Sequence, residues 1–149
     1  MSKETVYNIP ELINKTASLD LKEYENNYQQ SISNPEEFWE KQAKKYLDWI
    51  TPWKKVIDSN FKEGHINWFQ GAKINSTINC IDRHLKERSK QTAIIWEGDN
   101  PEEEKHISYQ ELLSEVCKLA NALKEREVKK GDRVCIYMPM IPEAAFAML

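Results

Sequence analysis

Apolar positions along the chain fall into blocks of different period. Phe38, Trp39, Gln42, Ala43, Tyr46, Leu47 and Ile50 recur at helical spacing, which predicts a helix with one aromatic and apolar face. Asn34-Pro35-Glu36-Glu37 precedes them, offering a cap, a proline at the first helical position and an acid at the third. Pro52 is the expected stop. A second helix should open at Asn75-Ser76 and run to about Lys90, with Ile78, Ile81 and Leu85 on one face. Thr92 to Glu97 is β-branched and apolar, hence a strand. The turn chemistry of Gly98-Asp99-Asn100-Pro101 and a short return over Lys105-His106-Ile107 make it a β-hairpin. Ser108-Tyr109-Gln110-Glu111 is a capping box, and Leu112, Val116, Leu119, Ala120 and Leu123 follow it at helical spacing. Val134 to Met138 is a continuous apolar run between Gly131 and Pro139, the pattern of a strand covered on both faces in a parallel sheet. Pro142-Glu143 starts a last helix. The predicted class is α/β: an N-terminal helical and loop extension, then β-hairpin, helix, parallel strand and helix, the helix-to-strand step implying a right-handed crossover.

The remaining blocks are less regular. Residues 1–23 carry only the short turn Ile9-Pro10-Glu11-Leu12-Ile13, and residues 22–33 are polar with Tyr24 and Tyr28 at helical spacing. This portion is expected to be a peripheral arm. Residues 51–75 read as an extended, loop-rich segment whose aromatics Trp53, Phe61, Trp68 and Phe69 pin it to a larger surface.

Composition narrows the class further. Of 149 residues, 40% are hydrophobic and 30% charged, and the net charge of -3 comes from 21 basic and 24 acidic side chains. The two signs are interspersed, so neither nucleic acid nor an anionic membrane is an indicated partner. Met1 to Val6 lacks the apolar core of a signal peptide, and no run approaches the roughly 18 apolar residues that cross a bilayer. A cytoplasmic protein is expected. Cys80, Cys117 and Cys135 are scattered without a C-x-x-C pair, which favours buried reduced thiols. His65, His84 and His106 show no metal-ligand spacing. The sequence ends on Ala144-Ala145-Phe146-Ala147-Met148-Leu149, an apolar stretch unsuited to a free surface. A longer parent sequence is therefore expected.

Motifs that carry chemistry are scarce. The four glycines, at 64, 71, 98 and 131, are unclustered, and no phosphate-cradling loop, nucleophile elbow or zinc-binding helix motif is present. Asp82-Arg83-His84 has catalytic residue types, but consecutive helical positions point in different directions and cannot converge on one atom. Glu102-Glu103-Glu104 could bind a cation, yet reads as a solvated acidic loop. No catalytic, cofactor-binding or metal-ligating residue is assigned.

Several words in fixed order go further. Asn79-Cys80-Ile81-Asp82-Arg83-His84-Leu85, Ala93-Ile94-Ile95-Trp96-Glu97-Gly98-Asp99 and Ile136-Tyr137-Met138-Pro139-Met140-Ile141-Pro142-Glu143-Ala144-Ala145 closely resemble AMP-forming acetyl-CoA synthetases. Ile107-Ser108-Tyr109-Gln110-Glu111-Leu112 is similar to the first core motif of the wider adenylate-forming superfamily, and Tyr24 to Ile57 resembles the family's N-terminal extension. Ala72 and Glu127 depart from the family pattern, each standing where a glycine is common. The resemblance implies three parts: an arm over 1–23, the extension over 24–90, and over 91–149 the beginning of the AMP-binding domain. It implies a ligase using ATP, CoA and Mg²⁺, forming acetyl-adenylate and pyrophosphate and then passing acetyl to CoA. Propionyl- and acetoacetyl-CoA synthetases are sibling readings. The family's phosphate loop, carboxylate pocket, CoA-binding arginines and catalytic lysine match no residue here, so residues 1–149 alone are expected to be inactive. A different class, a non-catalytic docking module using Trp39, Trp53, Trp68 and the apolar stretch at 144–149, is the alternative.

Overall fold

The computed structural model describes residues 7–149; the reading of Met1 to Val6 lies outside them. The described residues form two compact units, one of residues 7–47 and 52–72, the other of residues 48–51 and 73–149.

The first unit holds α1 (Glu11–Thr16), α2 (Leu21–Ser33), α3 (Pro35–Tyr46), β1 (Lys55–Asn60) and β2 (His65–Gln70). The expected arm is more ordered than its polarity suggested. Asp20 accepts from the Glu23 backbone N–H at 2.7 Å, and the Glu23 carboxylate accepts from the Asp20 N–H at 3.1 Å. This capping box starts α2 three residues before the first tyrosine. In α3, Pro35 takes the first helical position as predicted, but the Asn34 side chain makes no bond to a helix N–H and donates instead to Glu37. α3 ends at Tyr46, before Pro52, because Leu47 is already extended.

Residues 51–75, expected to be a loop, contain the antiparallel hairpin β1–β2, with Ile57 opposite Trp68 and Asn60 opposite His65. Its turn lacks the two-residue signature that makes hairpins legible. A single 3₁₀ turn over Phe61–Glu63 replaces it, capped by the Asn60 side chain and closed by Gly64 at φ 67. Ala43 and Val56 are the buried side chains of this unit.

The second unit holds a π-turn (Ile78–Asp82), α4 (Arg83–Arg88), β3 (Thr92–Glu97), β4 (Glu104–Ser108), α5 (Tyr109–Glu125) and α6 (Pro142–Met148). The helix expected over 75–90 is thus interrupted by a turn with one extra residue. The predicted hairpin is present, antiparallel, with a bulge near Ala93. The capping box of α5 is also present: the Ser108 hydroxyl accepts from the Glu111 N–H at 3.3 Å, and Glu111 accepts from the Ser108 N–H at 2.8 Å. The Ser108 N–H, and the Ser108 hydroxyl that donates to Glu111 Oε2 at 2.7 Å, hold the Glu111 carboxyl below its usual range. Ile81, fully buried, meets Leu112 and Val116, with Leu85, Ile94, Ile107 and Phe146 packed around them. Removing such a side chain from water is worth roughly 1.5–3 kcal/mol.

Two further expectations are corrected. Val134–Met138 is not a strand: both sheets are two-stranded and antiparallel, each hairpin pairing only within itself. A strand exists through ladder bonds to a neighbour, and without one these residues stay irregular, Val134 54% and Tyr137 99% exposed. The α/β class holds through the helices and hairpins. Second, Cys80, Cys117 and Cys135 are free but exposed, not buried. Cys117 lies beside the buried Val116 on α5 and so faces another side of the helix.

The end of α5 accounts for Glu127. Its N–H donates to the Lys124 carbonyl at 2.9 Å and the Val128 N–H to Leu123 at 3.1 Å. This is the pair of bonds of a Schellman motif. Glu127 occupies its left-handed position at φ 62, where glycine carries no Cβ penalty.

Candidate functional site

The polar groups that the sequence singles out are separated by the fold. His84 lies against the Tyr109 ring, centroids 5.4 Å apart. Arg83 turns the other way, donating from Nη1 to Asn79 Oδ1 at 3.0 Å and approaching Asp48 Oδ2 at 3.7 Å. Asp82 is exposed. The Glu102–Glu104 loop is held by its backbone, Gly98 N–H to the Glu103 carbonyl at 2.7 Å and Glu103 N–H to the Asn100 carbonyl at 2.8 Å. Among the described residues no three His, Cys, Asp or Glu side chains are grouped to hold a metal ion.

The centre of polar organisation is Asn79, whose role the sequence reading missed. Its Oδ1 accepts from the Asp48 N–H at 2.8 Å, and its Nδ2 donates to the Asp48 carbonyl at 3.0 Å. Nδ2 also donates to the Asn75 carbonyl at 3.0 Å. With the Arg83 contact, the amide makes two donated and two accepted bonds, which is its whole capacity. It therefore holds both backbone polar groups of one residue, Asp48, as a paired strand would. Thr51 and Lys73 continue the link as an isolated antiparallel bridge. The available signal was an asparagine placed just inside a helix start, where such side chains usually serve the backbone.

The aromatic stripe of α3 is a packing face in its own unit. Trp39 meets Phe38 and Trp68 edge to face, at 5.1 and 6.3 Å, and Trp53 meets Phe69 at 5.0 Å. Lys44 lies over Trp53 at 5.8 Å from the ring centre. These rings take one another's faces and edges as aromatic pairs prefer.

In the second unit an open groove of about 400 Å³ runs between α5 and α6. Leu119, Ala122, Met138 and Phe146 line it, with Glu115, Lys118 and Glu143 at its rim. Glu115 and Lys118 pair with each other at 2.6 Å. The groove offers apolar contact and no converging nucleophile, acid or base.

Comparison with known proteins supplies what this geometry does not. Residues 24–80 match the family described as the acetyl-coenzyme A synthetase N-terminus, and residues 81–149 match the AMP-binding enzyme family. All 149 residues align with the acetyl-coenzyme A synthetase of Alkalilimnicola ehrlichii at 54% identity. The chain is similar to acetyl-coenzyme A synthetases along all of its 149 residues. Acetyl-coenzyme A synthetase 2 of Pseudomonas aeruginosa is 52% identical over the same length. The chain spans 23% of the length of each of these two relatives. Among solved structures, acetoacetyl-CoA synthetase from Streptomyces lividans superposes with a TM-score of 0.72 at 28% identity, over 80% of this chain and 18% of that one. The two matched regions meet at Cys80 and Ile81, inside the π-turn whose Ile81 centres the second unit.

Proposed function

We propose that these residues belong to an AMP-forming acetate–CoA ligase. Such an enzyme joins acetate to ATP, releasing pyrophosphate, and passes the acetyl group from the adenylate to CoA, releasing AMP. The observation that carries this reading is the 54% identity to an acetyl-coenzyme A synthetase over all 149 residues. Acetate, rather than propionate or acetoacetate, is supported by the names of the relatives at 52–54% identity; the acetoacetyl-CoA synthetase is 28% identical. Small molecules are its substrates, and the enzyme works in the cytoplasm without nucleic acid or membrane as partner.

Within it, residues 24–90 form the extension and residues 91–149 the opening of the adenylate-forming domain. The packing of Ile81 and Leu85 against Leu112 and Val116 supports a core built jointly by the end of the first and the start of the second. The residues present do not fit ATP, CoA or Mg²⁺. The glycines at 64, 71, 98 and 131 lie far apart along the chain, and no metal-holding cluster exists among the described residues. No catalytic or cofactor-binding role is assigned to any of them.

The test is acetate-dependent ATP–pyrophosphate exchange, measured on the product of the whole reading frame that encodes these residues and on residues 1–149 alone. Exchange is expected in the first and not in the second. Exchange by residues 1–149 would move the chemistry into this region, and none in either would remove the ligase reading.

A further inference from the structure

The segment between α5 and α6 has an unusual set of attachments. Residues 131–140 are all exposed and lack regular structure. At one end Gly131 adopts φ 101, a conformation that favours glycine, and the Lys129 N–H bonds to Asp132 Oδ2 at 2.7 Å. At the other end the Trp96 indole N–H donates to the Met140 carbonyl at 2.7 Å. Ile141 N–H bonds to the Pro139 carbonyl at 2.9 Å, so the Met140 carbonyl is presented by a tight turn just before the buried Pro142.

Trp96 is itself closely positioned. It lies on β3, and the ammonium of Lys105, its partner across the hairpin, sits 5.4 Å from its ring centre. Gly98 makes room for the ring: a Cβ there would lie 3.2 Å from Trp96 Cη2 and 3.2 Å from the Glu103 side chain. Indole nitrogen only donates, and the carbonyl it meets is 44 residues away in sequence.

We infer that Trp96 is a register latch: its indole N–H fixes where the strand-prone run Val134–Met138 stands relative to β3, with Gly131 as the hinge at the far end. Register matters for such a run because a slip of one residue exchanges its two faces. The inference concerns the chain's own packing and does not rest on the ligase reading.

The experiment replaces Trp96 in the full chain by β-(benzothien-3-yl)alanine, which keeps the bicyclic ring and exchanges N–H for sulfur. Amide exchange is then followed separately for Ile141, whose N–H is held by the turn that presents the Met140 carbonyl, and for the β3–β4 ladder. Loss of one hydrogen bond should speed exchange at Ile141 roughly fivefold and leave the ladder unchanged. Trp96→Phe should show the same selective change, and Gly98→Ala a smaller one by crowding the ring. Unchanged exchange at Ile141 for the sulfur isostere overturns the latch. So does an acceleration shared equally by the β3–β4 ladder, which would make Trp96 a general packing residue.

Discussion

The two hairpins of this chain are built to different rules. In β1–β2 the contacts are aromatic and half exposed: Trp68 is 40% and Trp39 43% accessible, and Val56 is the buried residue of the pair of strands. In β3–β4 the covering contacts are aliphatic and centre on Ile81, which water does not reach. The first spreads its stabilisation over ring edges that water still wets. The second concentrates it at one point shared by the hairpin, the π-turn and α5. A concentrated core should fail sharply on truncation of one side chain, and a distributed one should lose a little at each ring.

The largest test of that contrast is Ile81→Ala. It removes a fully buried side chain and should cost about 3–4 kcal/mol in urea unfolding of the second unit. A loss under 1 kcal/mol would mean that the aliphatic centre is not dominant. Trp68→Ala, in the first unit, should cost only about 1–2 kcal/mol, because the ring is partly solvated and its edge-to-face partners remain. If it costs more than Ile81→Ala, the comparison is inverted.

Smaller effects sharpen the second unit. Ser108→Ala deletes the cap of α5 and should cost about 1 kcal/mol, seen as faster exchange of the Glu111 amide. The same cap has a pH signature. The Ser108 backbone and hydroxyl bonds lower the folded pKa of Glu111 below its unfolded value. Its contribution is therefore present above the unfolded carboxyl range and is lost as pH falls through the folded pKa. Glu111→Gln should flatten that acid-side decline in the protection of α5; an unaltered profile would refute the assignment. The smallest effect is a gain. Glu127→Gly relieves a side chain at φ 62 and should raise stability by about 1 kcal/mol, read as a higher thermal midpoint.

What was legible in the sequence follows the same division. The capping box at Ser108, the strand at Thr92–Glu97 and the periodic face of α5 were readable, since each is written in local spacing and obeyed locally. Even so, of the α5 face only Leu112 and Val116 are buried. The β1–β2 hairpin was not readable. Lys55-Val56-Ile57-Asp58-Ser59-Asn60 has little apolar alternation, and its partner strand turns on a 3₁₀ segment, not on an Asn-Gly pair. The strand expected at Val134–Met138 failed for the opposite reason. Its local pattern is strong, but a parallel strand is a property of its neighbours, and the hairpins here pair only within themselves. The π-turn was invisible because its extra residue leaves composition unchanged while shifting phase: Ile81 is buried and Ile78, three residues earlier, is 38% exposed. Asn79 was quoted only as a letter in a family word; the partner that gives it meaning, Asp48, lies 31 residues away.

Asn79 gives the link at Asp48 an unusual fragility. Along a sheet edge, recognition is repeated peptide by peptide, and a fault at one position is diluted by the next. Here one side-chain amide holds the N–H and the C=O of a single residue. Replacing its nitrogen by oxygen, the single-atom change that separates asparagine from aspartate, would erase both donated bonds. It would also set a second negative charge beside the Asp48 carboxylate. The chemistry of slow amide loss, harmless on most of the surface, would at this position cut a joint.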